Sequence, residues 1–571
     1  MRRDGVSTHV ELMHALLVIF SAVSLGTIEF IRHALPAKYV LQVPTSATVY
    51  TVLLVQVAPT AVLFVGDRII AFFDRSGRAL RIYRTVLFVG AVTLFLRQFQ
   101  LYSGPGDGLT SSIAALGPVV SAAVALVALG IVIWLCVSWY SGLTVFFYYM
   151  SPVAIAMTAI LPYQAALPGQ PLEAYATEVA RPADSQASPP VFIIILDELS
   201  YDALVKDGEI DAASFPSFAA LAGEGTWFTN AAANFFRTWF AVPSIIDAVR
   251  PLSDQFEVRL YSQFGLVEDG YRAECGKVFT CRGVHYVAEK HPGLLAANLA
   301  LRSLYQATPR MLEQALARPL GRLVDSLGST YPSADPDGFQ IYTKEQFDVF
   351  LGDIDSHQSP GRIYLLHSMV THFPFAFNEH GKASRAPLTT VGAEKDVDFA
   401  ALYEKYRKQA MFADSQLGAF MEKLRQEEIY DRAVIIVTAD HGLRARPVLP
   451  LPEPIELDHL TTQIPLLIRA PGMDSRLSDV DYQHIDFGPT LWDVLGRPPL
   501  EGAQGVSAFS AERPVRDKVF WVDDWAYFYS SEDLAWHLGG LAAGMPEEGA
   551  TGAEPEAETA GTEPAAESTY Q

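Results

Sequence analysis

Long apolar stretches separated by short charged loops make up the first 165 residues of the chain. An α-helix needs about 20 apolar residues to cross about 30 Å of hydrocarbon, and each stretch approaches that length. The pattern predicts five membrane-spanning helices. The predicted spans lie within residues 12–28, 39–66, 85–102, 113–138 and 142–164, the last two hinged at SWYSG.

The distribution of basic residues predicts the orientation of these spans. With a cytoplasmic N-terminus, the inside segments carry seven Arg residues, whereas the outside loops carry only Arg32 and Lys38. Cytoplasmic loops are enriched in Lys and Arg, so an odd number of spans would leave everything after about residue 165 outside. We therefore expect a multi-pass protein of the plasma (inner) membrane with an extracytoplasmic C-terminal domain. The first apolar stretch leads into further spans and is not expected to be a cleaved signal peptide.

Beyond residue 190 the pattern changes to short apolar strands that alternate with helical stretches. VFIIIL at 191–196, RIYLLH at 362–367 and AVIIVT at 433–438 are typical of buried strands, and residues 399–426 have a long helical pattern. This alternation predicts an α/β domain with a mostly parallel central sheet. The predicted organisation is a transmembrane domain at 1–165, an Ala- and Pro-rich linker at 166–190, a globular domain at 191–535 and an acidic disordered tail at 540–571.

Composition narrows the possible partners. The 571 residues carry a net charge of -22, and no block of basic residues is present, which argues against a nucleic-acid partner. Of the three cysteines, Cys275 and Cys281 lie six positions apart in the globular domain. An extracytoplasmic location would permit a disulfide between them, although two unpaired thiols remain an alternative.

Ligand-type residues follow two of the predicted strands. Asp197 and Glu198 come directly after the first strand, and Asp440 and His441 come after the strand at 433–438. Because the carboxyl ends of parallel strands meet at one edge of a sheet, these groups predict a divalent-metal site there. Their chemistry suits zinc, manganese, magnesium or calcium and does not choose among them. Either pair alone is more typical of a helix cap or a solvated turn.

Seven blocks resemble, in order, the sulfatase-like branch of the alkaline phosphatase superfamily. They are LDELSYDAL, FPSFAALAGEGTWFTNA, RTWFAVPS, THFPF, VTADHG, QIPLLIRAPG and HIDFGPTLWDVLG. The resemblance covers roughly residues 190–510 and implies an alkaline-phosphatase-like domain. The upstream helices are similar to those of membrane-bound phosphoethanolamine and phosphoglycerol transferases of the lipoteichoic acid synthase-like type.

The resemblance also implies a set of metal ligands and a nucleophile. The implied ligands are Asp197, Glu198, Thr238, Asp440 and His441. Thr238, five residues before Pro243, occupies the position of the transferase nucleophile, and a metal contact would activate its hydroxyl. The alternative is that Thr238 caps a helix that begins near Pro243. Formylglycine sulfatases need Cys or Ser where this chain has Ala241, so that chemistry is not expected.

Further residues are implied around the substrate. His372 is expected near the substrate phosphate as a proton donor, and His367 and His459 as substrate contacts. Arg237 is expected to pair with a phosphate, although a surface arginine and structural histidines are alternatives. The aromatic cluster beside Thr238 would line an acyl pocket or belong to the core.

These features predict a metal-dependent, membrane-anchored phosphotransferase. A phospholipid headgroup phosphoryl group would pass through Thr238 to an extracytoplasmic glycan or lipid acceptor of the cell envelope. One alternative is an ester hydrolase of the same fold that acts on a phosphate or sulfuric ester. A further alternative is a non-catalytic scaffold.

Overall fold

The structure is a computed structural model, and the chain divides into two compact units. The N-terminal unit comprises Met1–Pro171 and Ala288–Ile341, and the C-terminal unit comprises Leu172–Val287 and Tyr342–Gln571. The described residues are 2–34, 45–99, 118–166, 177–182, 185, 187–262, 271, 273–307, 340, 342–383, 399–444, 459–514, 516–522, 525–530 and 535–541. Most of the predicted linker's first half and nearly all of the predicted acidic tail lie outside them.

Seven helices precede the strands within the part of the chain that the structure describes. They are α1 (Arg2–Ala34), α2 (Thr45–Val52), α3 (Ala58–Phe73), α4 (Arg78–Phe99), α5 (Pro118–Ser138), α6 (Tyr140–Tyr149) and α7 (Ser151–Ala166). A π-helical turn, Leu53–Val57, joins α2 to α3.

Three described segments are long and apolar enough to cross a membrane: His9–Arg32, Thr45–Phe73 and Arg78–Gln98. They correspond to the first three predicted spans. The helices α5 and α6 meet at 83° and would count as a fourth span only if taken together. The predicted span at 142–164 is instead divided between α6 and α7, with Pro152 in the first turn of α7. Proline has no N–H to continue the preceding helix, so the break falls there, and five spans remain a prediction.

The later elements alternate between helix and strand. The helices are α8 (Tyr201–Leu204), α9 (Pro216–Ala222), α10 (Thr238–Val249), α11 (Val284–Lys290), α12 (Pro292–Ala307), α13 (Thr343–Gly352), α14 (Phe399–Gln426), α15 (His459–Thr462) and α16 (Phe487–Val494). The strands are β1 (Val191–Leu196), β2 (Val205–Lys206), β3 (Glu209–Ile210), β4 (Thr226–Phe228), β5 (Ala231–Ala232), β6 (Glu257–Ser262), β7 (Phe279–Gly283), β8 (Arg362–Ser368), β9 (Val434–Thr438), β10 (Leu466–Arg469), β11 (Arg476–Ser478), β12 (Tyr482–Gln483), β13 (Val519–Val522), β14 (Trp525–Ser530) and β15 (Ala535–Leu541).

An eight-stranded sheet forms the centre of the C-terminal unit, in the order β11-β4-β10-β9-β1-β8-β6-β7. The strands from β9 to β7 are parallel to one another, and β10 is antiparallel to both of its neighbours. The predicted mostly parallel sheet is therefore confirmed. All six residues of β1 are buried, as expected for a central strand covered on both faces. Its partners β8 and β9 run in the same direction, so the residues that follow β1 and β9 meet at one edge.

The segment 288–341 groups with the N-terminal helices, whereas the sequence analysis assigned it to a continuous domain at 191–535. Within the N-terminal unit, α12 packs against α1 and α2. It buries Leu295 and Leu299, and the Ser303 hydroxyl donates a hydrogen bond to the Phe30 carbonyl at 3.3 Å. In the C-terminal unit, Cys275 and Cys281 form a disulfide.

Candidate active site

Three buried side chains converge at the carboxyl ends of β1 and β9. One ligand atom each from Asp197, Asp440 and His441 lies within 4.8 Å of the other two. All three residues are 0% exposed. Two carboxylates and an imidazole are ligands that divalent cations accept, so this cluster is the candidate metal site.

The chain around Asp440 fixes the direction of its carboxylate and of the next side chain. Asp440 Oδ1 accepts the backbone N–H groups of Glu198 at 3.1 Å and His441 at 2.8 Å. His441 Nδ1 lies 2.8 Å from the Gly442 carbonyl, which can only accept, so Nδ1 carries the proton. The lone pair is then on Nε2, 3.4 Å from Asp440 Oδ2. Such a partner on the far nitrogen is typical of a metal-binding histidine.

Asp197 is held by residues from β8 and the turn after it. His367 Nε2 donates to Asp197 Oδ2 at 3.0 Å, and the Thr371 hydroxyl donates to the Asp197 carbonyl at 2.6 Å. Ser262 donates to the other ring nitrogen of His367 at 3.2 Å. His367 is completely buried, so it orients Asp197 rather than presenting a free nitrogen. A substrate contact for His367 remains a prediction.

Two buried carboxylate oxygen atoms in the cluster are suited to bind a cation. Asp197 Oδ1 and Asp440 Oδ2 have no hydrogen-bond partner among the described residues. A buried carboxylate oxygen without a partner is costly. The donor set and these two oxygens therefore fit a divalent metal, without identifying which one.

The pKa values of the two carboxylates, Asp197 and Asp440, are shifted in opposite directions. Burial raises the pKa of Asp440, and the neighbouring charge of Asp197 raises it further. For Asp197, burial acts in the same upward direction, but His372, His367 and His441 outweigh it and lower the pKa. Two carboxylates this close repel each other when both are ionised, and a cation between them would relieve that repulsion.

Thr238 lies directly against this cluster. Its Oγ1 is 3.4 Å from Asp197 Oδ2 and 3.3 Å from His441 Nε2, and the residue is 7% exposed. Thr238 is the first residue of α10, and Pro243 lies inside the same helix. The helix therefore begins five residues before Pro243, and its first turn offers a partial positive charge to an anion at Thr238. Ala241, at the position where formylglycine sulfatases have Cys or Ser, is fully buried in α10.

The Glu198 side chain contacts a different set of residues from those that surround the Asp197 side chain. Its backbone has a φ of 62°, which is unusual for a residue with a side chain. Tyr406 holds this turn by donating to the Glu198 carbonyl at 2.8 Å. The carboxylate forms an ion pair with Arg444 and accepts the Phe373 N–H at 3.0 Å. Glu198 is therefore outside the three-residue cluster, and its predicted role as a metal ligand stays a prediction.

Arg444 connects Glu198 to His372. Arg444 NH2 lies 2.9 Å from His372 Nε2, and because a guanidinium only donates, that nitrogen must accept. His372 Nδ1 correspondingly bonds the Phe373 carbonyl. In this arrangement Nε2 carries a lone pair, so the predicted proton-donor role of His372 would require Arg444 to move away and Nε2 to gain a proton. Burial opposes the charge of Arg444, but Glu198 and Asp197 raise its pKa.

Two further predicted residues, His459 and Arg237, lie at the start of helices. His459 begins α15 and is exposed. Arg237 immediately precedes α10, and its guanidinium lies 5.8 Å from the centre of the Phe236 ring. The predicted substrate contacts of both remain predictions.

Sequence reasoning did not identify Arg444 or His484. His484 is 4% exposed, and its Nε2 donates to the Ala439 carbonyl at 2.9 Å, immediately before Asp440. Both residues lie close in the chain to sequence blocks that were recognised: Arg444 follows D-H-G-L, and His484 is the first residue of H-I-D. This closeness is the sequence feature that could have identified them. Neither contact can be read from spacing, because each partner lies on a different element.

Comparisons with known proteins support the resemblance seen in the sequence. The sulfatase family model, described as "Sulfatase", matches residues 319–497. Lipoteichoic acid synthase 1 of Bacillus subtilis (strain 168) is 27% identical over 177 residues, which are 29% of this chain and 26% of that protein. Inner membrane protein YejM of Salmonella typhimurium is 28% identical over 113 residues, 19% of each chain.

These matches span at most about a quarter of the relatives' own lengths. Among solved structures, the phosphonate monoester hydrolase of Agrobacterium radiobacter superposes with a TM-score of 0.38 and 16% identity, covering 62% of this chain and 88% of that one. The matched region of the family model includes Asp440 and His441, whereas Asp197 and Thr238 precede it. The resemblance to sulfatase-like proteins is thus confirmed for that region.

Proposed function

We propose that this protein is a metal-dependent phosphotransferase that moves a phospholipid headgroup through a covalent intermediate on Thr238. The observation that carries the proposal is the position of the Thr238 hydroxyl. It lies at the N-terminus of a helix and 3.3–3.4 Å from two members of a buried Asp–Asp–His cluster. A threonine in that position is suited to attack a phosphorus atom.

The residues have distinct proposed roles. Asp197, Asp440 and His441 would hold one divalent ion, which would lower the pKa of the Thr238 hydroxyl and neutralise charge on the phosphoryl oxygens. His367 keeps the Asp197 carboxylate in place, and the first turn of α10 stabilises the anionic group. Arg444, which is partly exposed and paired with Glu198, would contact the phosphate.

The proposed reaction has two steps. The Thr238 oxygen forms a bond to phosphorus while the bond from phosphorus to the glycerol oxygen breaks, and diacylglycerol leaves with the proton that Thr238 loses. A hydroxyl of an envelope glycan or lipid then forms a bond to phosphorus while the bond from phosphorus to the Thr238 oxygen breaks, and the proton that the acceptor loses returns to Thr238. If water takes the place of that hydroxyl, the protein is a hydrolase.

The relatives are consistent with this class of protein, since one is named a lipoteichoic acid synthase and another an inner membrane protein. Three N-terminal segments with the length and composition of membrane spans support an anchored enzyme. The predicted extracytoplasmic location and the envelope acceptor belong to the same proposal.

The test is the mass of the Thr238-containing peptide after acid quenching. Purified full-length protein is incubated with phosphatidylethanolamine, phosphatidylglycerol and a divalent metal, and then digested. We expect an added phosphoethanolamine or phosphoglycerol group, which names the donor. Thr238→Ser should keep the adduct and Thr238→Ala should lose it. An unmodified peptide from metal-loaded protein that still hydrolyses a soluble phosphate or sulfate ester would favour the hydrolase.

A further inference from the structure

A buried tyrosine from α14 holds the turn that follows β1. Tyr406 is 0% exposed, and its hydroxyl donates a hydrogen bond to the Glu198 carbonyl at 2.8 Å. The same hydroxyl accepts the Ser200 N–H at 2.7 Å. A tyrosine hydroxyl has one proton to donate and can also accept, so this single group contacts the turn at two points.

The conformation of the turn makes this support necessary. Glu198 has a φ of 62°, in the left-handed region that is unfavourable for a residue with a Cβ atom. Such a backbone persists only where the surrounding contacts hold it. Without the Tyr406 hydroxyl, the Glu198 carbonyl would also lose a hydrogen-bond partner inside the protein, which is costly for a buried group.

The Glu198 backbone connects Tyr406 to the metal cluster. The Glu198 N–H donates to Asp440 Oδ1 at 3.1 Å, and Glu198 directly follows Asp197 in the chain. This backbone therefore contacts Tyr406 through its carbonyl and Asp440 through its N–H. A change in the φ of Glu198 would alter the placement of both carboxylates of the cluster.

Gln409, about one helical turn after Tyr406, holds a second segment beside the site. It is 0% exposed, and its side chain donates to the His372 carbonyl at 3.1 Å and accepts the Phe377 N–H at 2.8 Å. Burial of a polar side chain is costly unless it is paired, and an apolar residue would fill the core without that cost. The buried face of α14 thus carries two polar side chains that fix the backbone around the candidate site.

We propose that Tyr406 is a positioning residue that sets the affinity of the Asp197, Asp440 and His441 cluster for its metal ion. This inference rests on the proposed function, in which that cluster holds one divalent ion. The Tyr406 hydroxyl acts through the Glu198 backbone and touches none of the three ligands' side chains. Removal of a group that orients metal ligands weakens metal binding by about 10- to 100-fold in other proteins.

The experiment measures metal affinity in the absence of substrate. Full-length protein, purified in detergent and stripped of metal with a chelator, is titrated by calorimetry with Mn²⁺ alone and separately with Zn²⁺ alone. Tyr406→Phe keeps the ring and removes only the hydroxyl, and we expect it to raise the Kd at least about tenfold.

The matched control is Tyr364→Phe. Tyr364 is also 0% exposed, and its hydroxyl donates to the Asp353 carbonyl at 3.1 Å. It pairs in register with Phe192 near the start of β1, whereas Asp197 follows the end of that strand. Both variants should lower the free energy of unfolding of the metal-free protein, but Tyr364→Phe should keep the wild-type Kd.

A second pair of variants separates the hydrogen bond from packing. Tyr406→4-aminophenylalanine keeps an N–H donor at the position of the hydroxyl and should restore the Kd to within about twofold of wild type. Tyr406→4-methylphenylalanine has a similar volume without a donor and should bind metal as weakly as Tyr406→Phe. These two variants replace Tyr406→Phe if that protein does not fold.

The possible outcomes distinguish this inference from the proposed function. A wild-type Kd in Tyr406→Phe, or an equal rise in Tyr364→Phe, would overturn the inference and leave the phosphotransferase intact. Equal Kd values for the amino and methyl variants would also overturn it, because the donor would then be irrelevant. A wild-type protein that binds neither ion would overturn the metal-dependent function itself, and the inference with it.

Discussion

Replacing His484 with glutamine should remove part of the acid sensitivity of the C-terminal unit. His484 is 4% exposed, its Nε2 donates to the Ala439 carbonyl at 2.9 Å, and its Nδ1 has no partner among the described residues. Burial lowers the pKa of His484 from 6.5 to about 4. The glutamine amide can donate the same hydrogen bond, but it does not titrate.

The sign and size of the effect follow from this shift. The folded pKa is below the unfolded value, so the folded state favours the neutral ring. Stability is complete above pH 6.5 and is lost as the pH falls toward 4, because the unfolded chain binds a proton that the folded chain resists. Between pH 7 and pH 5 the loss attributable to His484 is about 2 kcal/mol.

Urea unfolding at pH 7 and pH 5, followed by tryptophan fluorescence, measures this loss. Wild type should lose about 2 kcal/mol more than His484→Gln between the two pH values. His380→Gln is the matched control, since the His380 side chain is 72% exposed and its replacement should leave the wild-type pH dependence. If His484→Gln loses as much stability as wild type, the buried neutral ring is not the cause and the reasoning fails.

Three further predictions concern the metal, Arg444 and the disulfide. Asp440→Asn should lower the affinity for divalent metal at least about tenfold, measured by metal content after dialysis, because it removes a charged ligand. Asp431→Asn is the control, since the Asp431 side chain is fully exposed and its replacement should leave the metal content unchanged; equal metal content in the two variants would show that the site is misplaced. Arg444→Lys keeps the charge but lacks the planar fork of donors that contacts Glu198 and His372 together, so kcat/KM should fall about tenfold with metal content unchanged. An undiminished kcat/KM would remove Arg444 from the proposal. Changing Cys275 and Cys281, six positions apart, to serine should lower the free energy of unfolding by about 2 kcal/mol in urea without reductant. Equal stability would show that the crosslink does not constrain the unfolded chain.

The sequence predicted the centre of the sheet well because its signals are local. The strand at 191–196 and the helix at 399–426 have the predicted bounds, and the strands near 362 and 433 differ by one residue. Continuous Val- and Ile-rich stretches and a long amphipathic helix leave little ambiguity. The grouping of α12 with the N-terminal helices was missed, since an apolar helix face does not say which surface will cover it.

The sequence predicted the residue types of the candidate site better than it predicted the contacts among them. Asp440, His441 and Thr238 were found from short blocks, and the structure brings them together. The sequence could not show which of the neighbours Asp197 and Glu198 joins the cluster, because this depends on the left-handed φ of Glu198. Arg444, the ion-pair partner of Glu198, is 246 positions away in the chain, so no local sequence pattern predicts this contact.

The grouping of residues 288–341 with the N-terminal unit has consequences for the synthesis of the protein and for the design of truncated versions. The chain passes between the two units three times, near residues 171, 287 and 341. During synthesis, α1 and α2 emerge long before α12, the helix that packs against them, so the N-terminal unit is completed only after residues 172–287 of the C-terminal unit have left the ribosome. A fragment that starts at residue 172 would carry α12 without its partners and expose Leu295 and Leu299. A soluble version of the C-terminal unit would therefore need residues 288–341 replaced by a short polar loop rather than a single truncation.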